Sequence, residues 1–533
     1  MTKGGVPGPI DIESEQDTLL SILREVRDTP DEQWDLAAVL RRYPRDEGTY
    51  AKSQLLAAYR VLSRRALIGQ NERIENRLRG RPVRTVSGVA PVAVLTEQYA
   101  CPGACIFCPT QDGAPKSYLN GEPGVLRAIQ NCYDPYAQTA SRLEALSAIG
   151  HPVDKVELLV LGGTWSAYPT DYREYFLRRC FDAMNQAVSP SLGHALSANA
   201  SAPHRNVGLV VETRPDWITP VEVLNLRREG VTKVQVGAQS LDDDILYRNG
   251  RGHSVADTRR AVELLRLAGF KIVLHWMPNL YGATPESDRR DFARLWDDPS
   301  LRPDELKIYP TVLLHDTGLY QLWQQGKYQP YAEEALVELL VACKQLVPAY
   351  CRINRIMRDI PADYVVEGTT KSNLRQVVHS RMLKQGVSCR CIRCREVRET
   401  DELNAEEIQL DMLRYDAAVA QEVLLQYVRP DGRLLAFLRL SLPKEPRIEL
   451  GIDEIRYAAM VRELHVYGPA QLLGHRDSGV QHRGLGSQLL ERAAQLAQAE
   501  GYHELSVIAA AGTVDYYRRR GFTEGVLYPK RVL

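Results

Sequence analysis

Hydrophobic and polar positions follow different patterns in different parts of the chain. Between residues 90 and 314, short runs of branched apolar residues alternate with segments of helical periodicity such as 254–269. Apolar strands separated by amphipathic helices are typical of a parallel sheet. The pattern predicts six strands, at residues 92–98, 155–163, 206–213, 233–240, 271–278 and 305–314. Six such units would close, or partly close, into a β/α barrel.

Polar residues follow the ends of these predicted strands, for example at 162–164 and 212–214. In a β/α barrel the active site lies at the carboxyl end of the strands. The sequence therefore predicts a site at this edge of the barrel. Basic residues that we place on its rim, such as Lys116, Arg248 and Lys271, either contact phosphates or form surface salt bridges.

The region before the barrel changes charge along its length. Residues 1–40 are acidic, whereas residues 41–84 carry twelve Lys or Arg against four Asp or Glu. Apolar residues recur at helical spacing in 53–67, so the basic residues lie on helices. These residues form either a solvated helix face or a phosphate-contacting surface, which arginine suits because its planar guanidinium pairs with phosphate oxygens. We assign residues 1–85 to this basic helical region.

A third pattern begins past residue 400. Apolar runs predict further strands, and helical periodicity predicts two helices. The strands lie at 433–442, 458–468 and 504–512, and the helices at 487–498 and 514–520. The sequence therefore predicts a second, compact α/β domain over residues 401–533.

Composition limits the possible classes of protein. The 533 residues include 67 Lys or Arg and 67 Asp or Glu, with 44% hydrophobic and 25% charged residues. These values are typical of a globular protein and exclude a largely disordered chain, a collagen or a coiled-coil rod. No run approaches the ~20 apolar residues of a membrane span. The first ten residues have no signal-peptide pattern, so we expect a cytoplasmic protein without a membrane partner.

Three of the ten cysteines follow the first predicted strand. Cys101, Cys105 and Cys108 have the spacing C-x3-C-x2-C. Three thiolates in one loop can hold three irons of a cubane cluster and leave the fourth iron open. Zinc is the competing metal, but a structural zinc takes four ligands and this loop contains no fourth Cys or His.

This spacing after the first strand of a barrel resembles the radical S-adenosylmethionine (SAM) superfamily. The resemblance implies a [4Fe-4S] cluster whose open iron binds SAM, and reductive cleavage of SAM to a 5′-deoxyadenosyl radical. Gly162, Gly163 and Thr164 stand where that family has a Gly-Gly-Glu type motif for the SAM amino group, with Thr164 in place of the glutamate. We also assign Lys116 to this cofactor site.

A glycine turn precedes the first predicted helix of the second domain. Glycines there let the backbone approach a pyrophosphate, and the free N–H groups of the helix start point towards it. The turn resembles that of the GNAT acetyltransferases, which implies acetyl-CoA as the ligand. The implied cofactor-binding residues are Gln481, His482, Arg483, Gly484, Leu485 and Gly486.

The same resemblance implies catalytic residues near the thioester. Tyr516 and Tyr517 stand where the family often has a tyrosine that protonates the leaving thiolate. We expect one of them to pack in the core and favour Tyr517 as the acid. Glu463 is either a general base or simply a partner of Arg462 or His465.

A second group of cysteines lies between the two predicted domains. Cys389, Cys391 and Cys394 have the spacing C-x-C-x2-C. Without a strand before it, this group favours zinc over an iron-sulfur cluster. The fourth ligand stays open among His379, Cys351 and Cys343, and a reduced cysteine-rich turn without metal is the alternative. We assign residues 381–400 to this linker and 86–380 to the barrel.

A radical SAM barrel followed by a GNAT domain resembles the catalytic subunit of the Elongator complex. Segments 134–164, 214–240, 358–375 and 462–468 carry this resemblance, which extends over the chain after about residue 80. It implies a tRNA acetyltransferase that carboxymethylates carbon 5 of the wobble uridine, with the anticodon stem-loop as partner.

Other functions are compatible with these motifs. One is a protein lysine acetyltransferase with a structural barrel, and another is a non-enzymatic RNA-binding scaffold. The intact cysteine and glycine motifs argue against the scaffold. A homodimer is possible.

Overall fold

The computed structural model describes residues 10–45, 48–80, 88–397, 408–467 and 484–533. Its helices are α1 (Gln16–Asp28), α2 (Leu36–Leu40), α3 (Lys52–Arg64), α4 (Glu72–Leu78), α5 (Pro123–Gln130), α6 (Pro135–Ala148), α7 (Thr170–Asn185), α8 (Leu192–Ala198), α9 (Pro220–Arg228), α10 (Asp243–Arg248), α11 (Val255–Leu267), α12 (Pro285–Asp297), α13 (Gly318–Gln324), α14 (Glu333–Leu346), α15 (Leu374–Lys384), α16 (Ile392–Arg395), α17 (Leu485–Ala499) and α18 (Val514–Arg518). None of these helices has the length and apolar character that a membrane crossing requires.

The first four helices pack around an apolar core of their own, which includes Leu19, Leu23 and Tyr59. Many basic side chains of this region pair with acids from the start of the chain. Arg45 lies 2.9 Å from a carboxylate oxygen of Glu15, and similar pairs form elsewhere in the region. The acidic first segment therefore neutralises much of the basic second one.

Parallel strands form the central sheet, as the sequence predicts. They are β1 (Ala90–Leu95), β2 (Lys155–Leu161), β3 (Arg205–Thr213), β4 (Lys233–Gln239), β5 (Lys271–Trp276), β6 (Glu305–Ile308) and β8 (Arg352–Arg355). Each pairs with the next along this order, and in the described part of the chain β1 and β8 do not pair with each other. The sheet is therefore a partial barrel, which confirms the predicted fold class.

The prediction of six strands is wrong in two details. The run 305–314 divides into β6 and the short strand β7 (Leu313–Leu314), which pairs instead with β9 (Val365–Glu367). Pro310 separates the two, and proline cannot donate a hydrogen bond to a sheet. The seventh strand of the barrel, β8, is too short and polar to show a strand pattern.

The second domain contains a mixed sheet. Its strands among the described residues are β10 (Gln409–Ala417), β11 (Ala420–Val428), β12 (Leu434–Pro443), β13 (Ala459–Val466), β14 (Glu504–Val507) and β15 (Lys530–Val532). Neighbours are antiparallel except β13 and β14, which pair in parallel only over 459–461 and 505–507. The register between β12 and β13 also shifts beside Arg439. Past these points β13 turns away from β14, so a cleft opens between them.

The barrel and the second domain share one continuous apolar core. Buried polar contacts also join them. The guanidinium of Arg227 on α9 donates hydrogen bonds to the carbonyls of Ala509 and Leu527, at 2.8 and 3.0 Å. The hydroxyl of Tyr528 donates to the carbonyl of Ala268 at 2.8 Å. The two domains are therefore fixed against each other.

Candidate functional site

A single cavity of about 2870 Å³ runs along the concave face of the partial barrel and into the second domain. Alternate residues of the strands line it, because successive side chains of a strand point to opposite faces. At the carboxyl end of the strands its wall includes Cys101, Cys105 and Cys108. At the other end its wall includes Tyr516 and Tyr517. The structure thus brings the two predicted sites into one cavity.

The first cysteine loop lies between β1 and α5, with all three thiols half-buried. Backbone hydrogen bonds from Ile106 to Asn249 and from Leu319 to Ile106 fix the loop at 3.1 and 2.8 Å. The guanidinium of Arg251 donates to the sulfur of Cys105 at 3.3 Å. Burial of the Cys108 thiol raises its pKa to about 12.

The spread of these sulfurs suits a cluster better than a single ion. Three thiolates on one tetrahedral zinc, each at about 2.3 Å, lie roughly 3.8 Å from one another. In the part of the chain that the structure describes, only Cys389, Cys391 and Cys394 form a group of three ligand atoms all within 4.8 Å. Cys101, Cys105 and Cys108 lie farther apart, as ligands of different irons in a cubane would.

The predicted SAM motif lies after β2, beside the cysteine loop. Gly162 has a φ of +131°, and a Cβ there would overlap the hydroxyl of Thr96, so only glycine fits. Gly163 and Thr164 line the cavity, whereas Gly162 packs against the end of β1. Lys116 also lines the cavity, and its ammonium donates to the hydroxyl of Thr110.

The concave face carries further polar residues; Gln235 escaped the sequence analysis, whereas Glu212 and His275 lie at polar strand ends from which the site was predicted. Gln235 is buried at mid-strand, and its amide oxygen lies 3.0 Å from Nε2 of His275, while its Nε2 has no partner among the described residues. Glu212 accepts a hydrogen bond from Tyr118 at 3.1 Å and lies 3.6 Å from Lys307. A polar residue inside an apolar run was the available signal for Gln235.

The glycine turn of the second domain is described only from Gly484 onwards. Gln481, His482 and Arg483 lie outside the described residues. Gly484 has a φ of +73° directly before α17 and lines the cavity together with Gly486. The side chain of Leu485 is buried in the core, so only its backbone is available to a ligand there.

The two adjacent tyrosines differ in their surroundings. A Cβ on Gly486 would lie 2.6 Å from the hydroxyl of Tyr516, and the guanidinium of Arg520 covers its ring at 3.5 Å. Tyr516 is therefore fixed against the start of α17. Tyr517 is buried, which raises its pKa, and its hydroxyl forms no hydrogen bond with a described residue.

Glu463 on β13 is held by two cations. It accepts hydrogen bonds from the ammonium of Lys271 and from Nε of Arg439, the latter at 2.8 Å. Burial alone would raise the pKa of Glu463, but these two cations lower it. A lowered pKa makes Glu463 a weak base.

These contacts correct two expectations. The partners of Glu463 are neither Arg462, which pairs with Asp304 and Glu422, nor His465. Lys271 does not lie on the rim at the carboxyl end of the barrel. It begins β5 at the opposite edge of the sheet, where it also pairs with Glu305 at 2.6 Å.

Cys389, Cys391 and Cys394 lie between α15 and the end of α16. Their close grouping suits a single metal ion such as zinc. None of the three expected fourth ligands belongs to this group: Cys343 and Cys351 are buried in the core, and His379 lines the cavity. Among the described residues, three thiols and no fourth side chain are therefore in place.

Comparisons with known proteins agree with the geometry. The radical SAM superfamily matches residues 98–295, and the radical SAM C-terminal domain matches residues 303–384. The chain is therefore a radical SAM protein.

Relatives similar over most of the length define the family further. A tRNA uridine(34) acetyltransferase of Methanocaldococcus jannaschii is 40% identical over 84% of this chain and 84% of its own. One of Dehalococcoides mccartyi is 42% identical, covering 82% of this chain and 96% of its own. Elongator complex protein 3 of Homo sapiens is 37% identical over 84% of each chain.

A solved structure shows the same architecture. The archaeal Methanocaldococcus infernus Elp3 with an N-terminal deletion superposes with a TM-score of 0.74 at 36% identity, covering 84% of this chain and 100% of that one. The chain belongs to the family of Elongator complex protein 3 and the tRNA uridine(34) acetyltransferases.

Proposed function

We propose that the protein is a tRNA uridine(34) acetyltransferase that carboxymethylates carbon 5 of the wobble uridine in tRNA anticodons. One observation carries this proposal: the cysteine loop and the paired tyrosines line the same cavity. Carbon 5 of uracil is a poor target for ordinary acyl transfer. Attachment through the acetyl methyl group requires a hydrogen atom to be removed from it, so both sites must act on the same acetyl group.

At the barrel end, Cys101, Cys105 and Cys108 would hold a [4Fe-4S] cluster, with SAM beside Gly163, Thr164 and Lys116. When bound, the cluster and SAM supply the one-electron chemistry that removes a hydrogen atom. Arg251 contributes by holding a positive charge beside the sulfur of Cys105. The walls of the cavity partly shield a reactive intermediate from bulk water.

At the other end, the cleft between β13 and β14 and the start of α17 would bind acetyl-CoA. Free backbone N–H groups at the start of a helix bind the pyrophosphate. Attack of water on the thioester carbonyl would release CoA and leave the carboxylate of the product. Tyr517 would donate its hydroxyl proton to the departing CoA thiolate, since this residue lines the cavity and its hydroxyl forms no hydrogen bond with a described residue. Tyr516 would position the turn through its contact with Gly486.

The other parts of the chain would serve RNA binding and stability. Residues 1–85 would bind the anticodon stem-loop, with Arg60 and Arg64 of α3 forming no ion pair with a described residue. Zinc held by Cys389, Cys391 and Cys394 would stiffen the junction between the domains. A cytoplasmic location, where tRNA is modified, fits this role.

The alternative of a protein lysine acetyltransferase is less well supported. That reaction needs a general base to deprotonate the lysine ammonium. Glu463 is the candidate, and its ion pairs with Lys271 and Arg439 hold it as a weak base. In addition, a structural barrel would not require an enclosed path from the cysteine loop to the acetyl site.

The proposal is tested by anaerobic reconstitution with iron and sulfide, followed by incubation with SAM, acetyl-CoA and bulk tRNA and by nucleoside mass spectrometry. We expect carboxymethyluridine that disappears without SAM. Cys101→Ala should abolish both the product and SAM cleavage while tRNA still binds. Cys132→Ala, at an exposed cysteine outside both groups, is the matched control and should retain the product. Acetylated lysine peptides without modified uridine would contradict the proposal.

A further inference from the structure

The part of the cavity wall formed by α14, α15 and α16 contains more basic than acidic residues. Three helices contribute one basic residue each: Lys344 from α14, Arg375 from α15 and Arg393 from α16. All three line the cavity beside Cys394. Neither the tRNA surface nor the acetyl-CoA site proposed above uses them.

Lys344 is the most unusual of the three. Its residue is only 1% exposed, yet its ammonium forms no hydrogen bond or ion pair with any residue that the structure describes. A buried charge without a partner is costly, and it persists where a ligand or a metal centre supplies the opposite charge. Lys344 nevertheless belongs to the cavity wall, so the small exposed part of this residue faces the cavity.

The two arginines are similarly unpaired. Arg393 has no ion pair in the described ranges, and Arg375 donates only to the carbonyl of Ile353, at 3.0 Å. Burial lowers the pKa of Arg375 to about 10, and the neighbouring Arg393 contributes to the same shift. The nearby Arg352 is different, because it is already neutralised by Glu396 at 2.7 Å.

The cysteine group offsets only part of this charge. A zinc ion with three thiolates has a net charge of about −1. Three unpaired cations therefore leave an excess of two positive charges in the cavity wall. Arginine guanidinium groups pair with phosphate in a bidentate manner, and a lysine adds a point charge.

We propose that Lys344, Arg375 and Arg393 form a phosphate-binding subsite in the cavity wall. Phosphate reaches the cavity from two sources in the proposed reaction, the backbone of the tRNA and the 3′-phosphate of CoA. The identification of tRNA and CoA as the sources of phosphate rests on the proposed function. The existence of the subsite does not, because it is inferred from the unpaired charges of the three residues.

The test uses the full-length, zinc-loaded protein and the variants Arg375→Gln and Arg393→Gln. The matched control is Arg390→Gln, which removes the same charge beside the cysteine group at an exposed residue that does not line the cavity. One arm measures binding of an anticodon stem-loop RNA by fluorescence anisotropy at several salt concentrations. The other arm compares the affinities of CoA and 3′-dephospho-CoA by calorimetry. Zinc content is measured for every variant.

If the phosphate is that of RNA, each variant should reduce the slope of log K against log salt by about 0.7 to 0.9. If it is that of CoA, the wild-type protein should prefer CoA over 3′-dephospho-CoA by about tenfold, a salt-bridge energy of roughly 1.4 kcal/mol, and the variants should lose this preference. Arg390→Gln should change neither quantity.

Three results would overturn the subsite: neither arm responds, Arg390→Gln responds equally, or the variants lose zinc with both binding measures unchanged. The last result would show that the three cations only stabilise the zinc-bound thiolates and bind no phosphate. Arg375 is distant in sequence from the cysteines, so Arg375→Gln decides the matter if Arg393→Gln loses zinc. Failure of the proposed reaction is distinguishable, because it would leave these binding measurements unaffected.

Discussion

At the scale of single residues, two adjacent tyrosines have different surroundings, which is why we propose separate roles for them. The hydroxyl of Tyr516 lies against Gly486, and Arg520 covers its ring. The hydroxyl of Tyr517 lines the cavity without a described partner. A hydroxyl that is free and faces the site can transfer a proton to a leaving group, whereas one fixed against a helix start positions the backbone.

Tyr517→Phe should therefore slow tRNA-dependent acetyl-CoA turnover by about 10²-fold, the usual contribution of a general acid. The affinity for CoA, measured by calorimetry, should change little because the pyrophosphate is bound elsewhere. Tyr516→Phe is the matched comparison and should affect CoA affinity more than turnover. An unchanged rate in Tyr517→Phe together with a slow Tyr516→Phe would reverse the two roles.

Residue chemistry could be predicted where it depends on local spacing. The loop of Cys101 and the turn at Gly486 are contiguous motifs, so each could be recognised as a candidate site in the sequence, whereas the cavity that they share could not. The partners of Glu463 could not be predicted, because Lys271 and Arg439 come from other strands. Sequence spacing contains no information on contacts that tertiary packing creates.

At the scale of elements, the start of β6 organises the contact between the domains. Asp304 is fully buried and pairs with Arg462 of β13 and Arg439 of β12, and it accepts a hydrogen bond from the backbone of Ile272 at 2.9 Å. Burial alone would raise the pKa of Asp304, but the arginines lower it. Its stabilising contribution is therefore present at neutral pH and lost as the pH falls.

Asp304→Asn should reduce the free energy of unfolding by about 3–5 kcal/mol, because two buried guanidinium groups would each lose one of their two carboxylate partners. Denaturant titration at neutral pH measures this change. Asp431→Asn, at an exposed loop position, should change stability by no more than about 0.5 kcal/mol. Equal stability of Asp304→Asn and the wild-type protein would show that the network does not hold the domains together.

Most barrel strands could be predicted because buried parallel strands are continuously apolar. β8, with the sequence RINR, lacks this signal and is identified only by its pairing with β6. The hairpin of β10 and β11 was missed for a related reason, since β10 is largely exposed and its sequence is polar. Strands at the edge of a sheet are determined by their neighbours more than by their own residues.

At the scale of the whole molecule, one cavity connects the two sites that we propose to act on one substrate. The cavity along the concave face of the barrel continues, at the end opposite the carboxyl ends of the strands, towards the cleft between β13 and β14. A shared core and buried hydrogen bonds fix the two domains in this arrangement. The sequence predicted both domains, but their common cavity follows only from the tertiary structure.

The most direct test of this account follows the hydrogen atoms of the acetyl group. The reconstituted protein is incubated with SAM, tRNA and acetyl-CoA that carries a trideuterated methyl group, and the 5′-deoxyadenosine formed is analysed by mass spectrometry. The account predicts 5′-deoxyadenosine that is heavier by one deuterium, because the acetyl methyl group reaches the barrel site. Unlabelled 5′-deoxyadenosine alongside fully deuterated acetyl groups would show that the two ends of the cavity do not act on the same substrate.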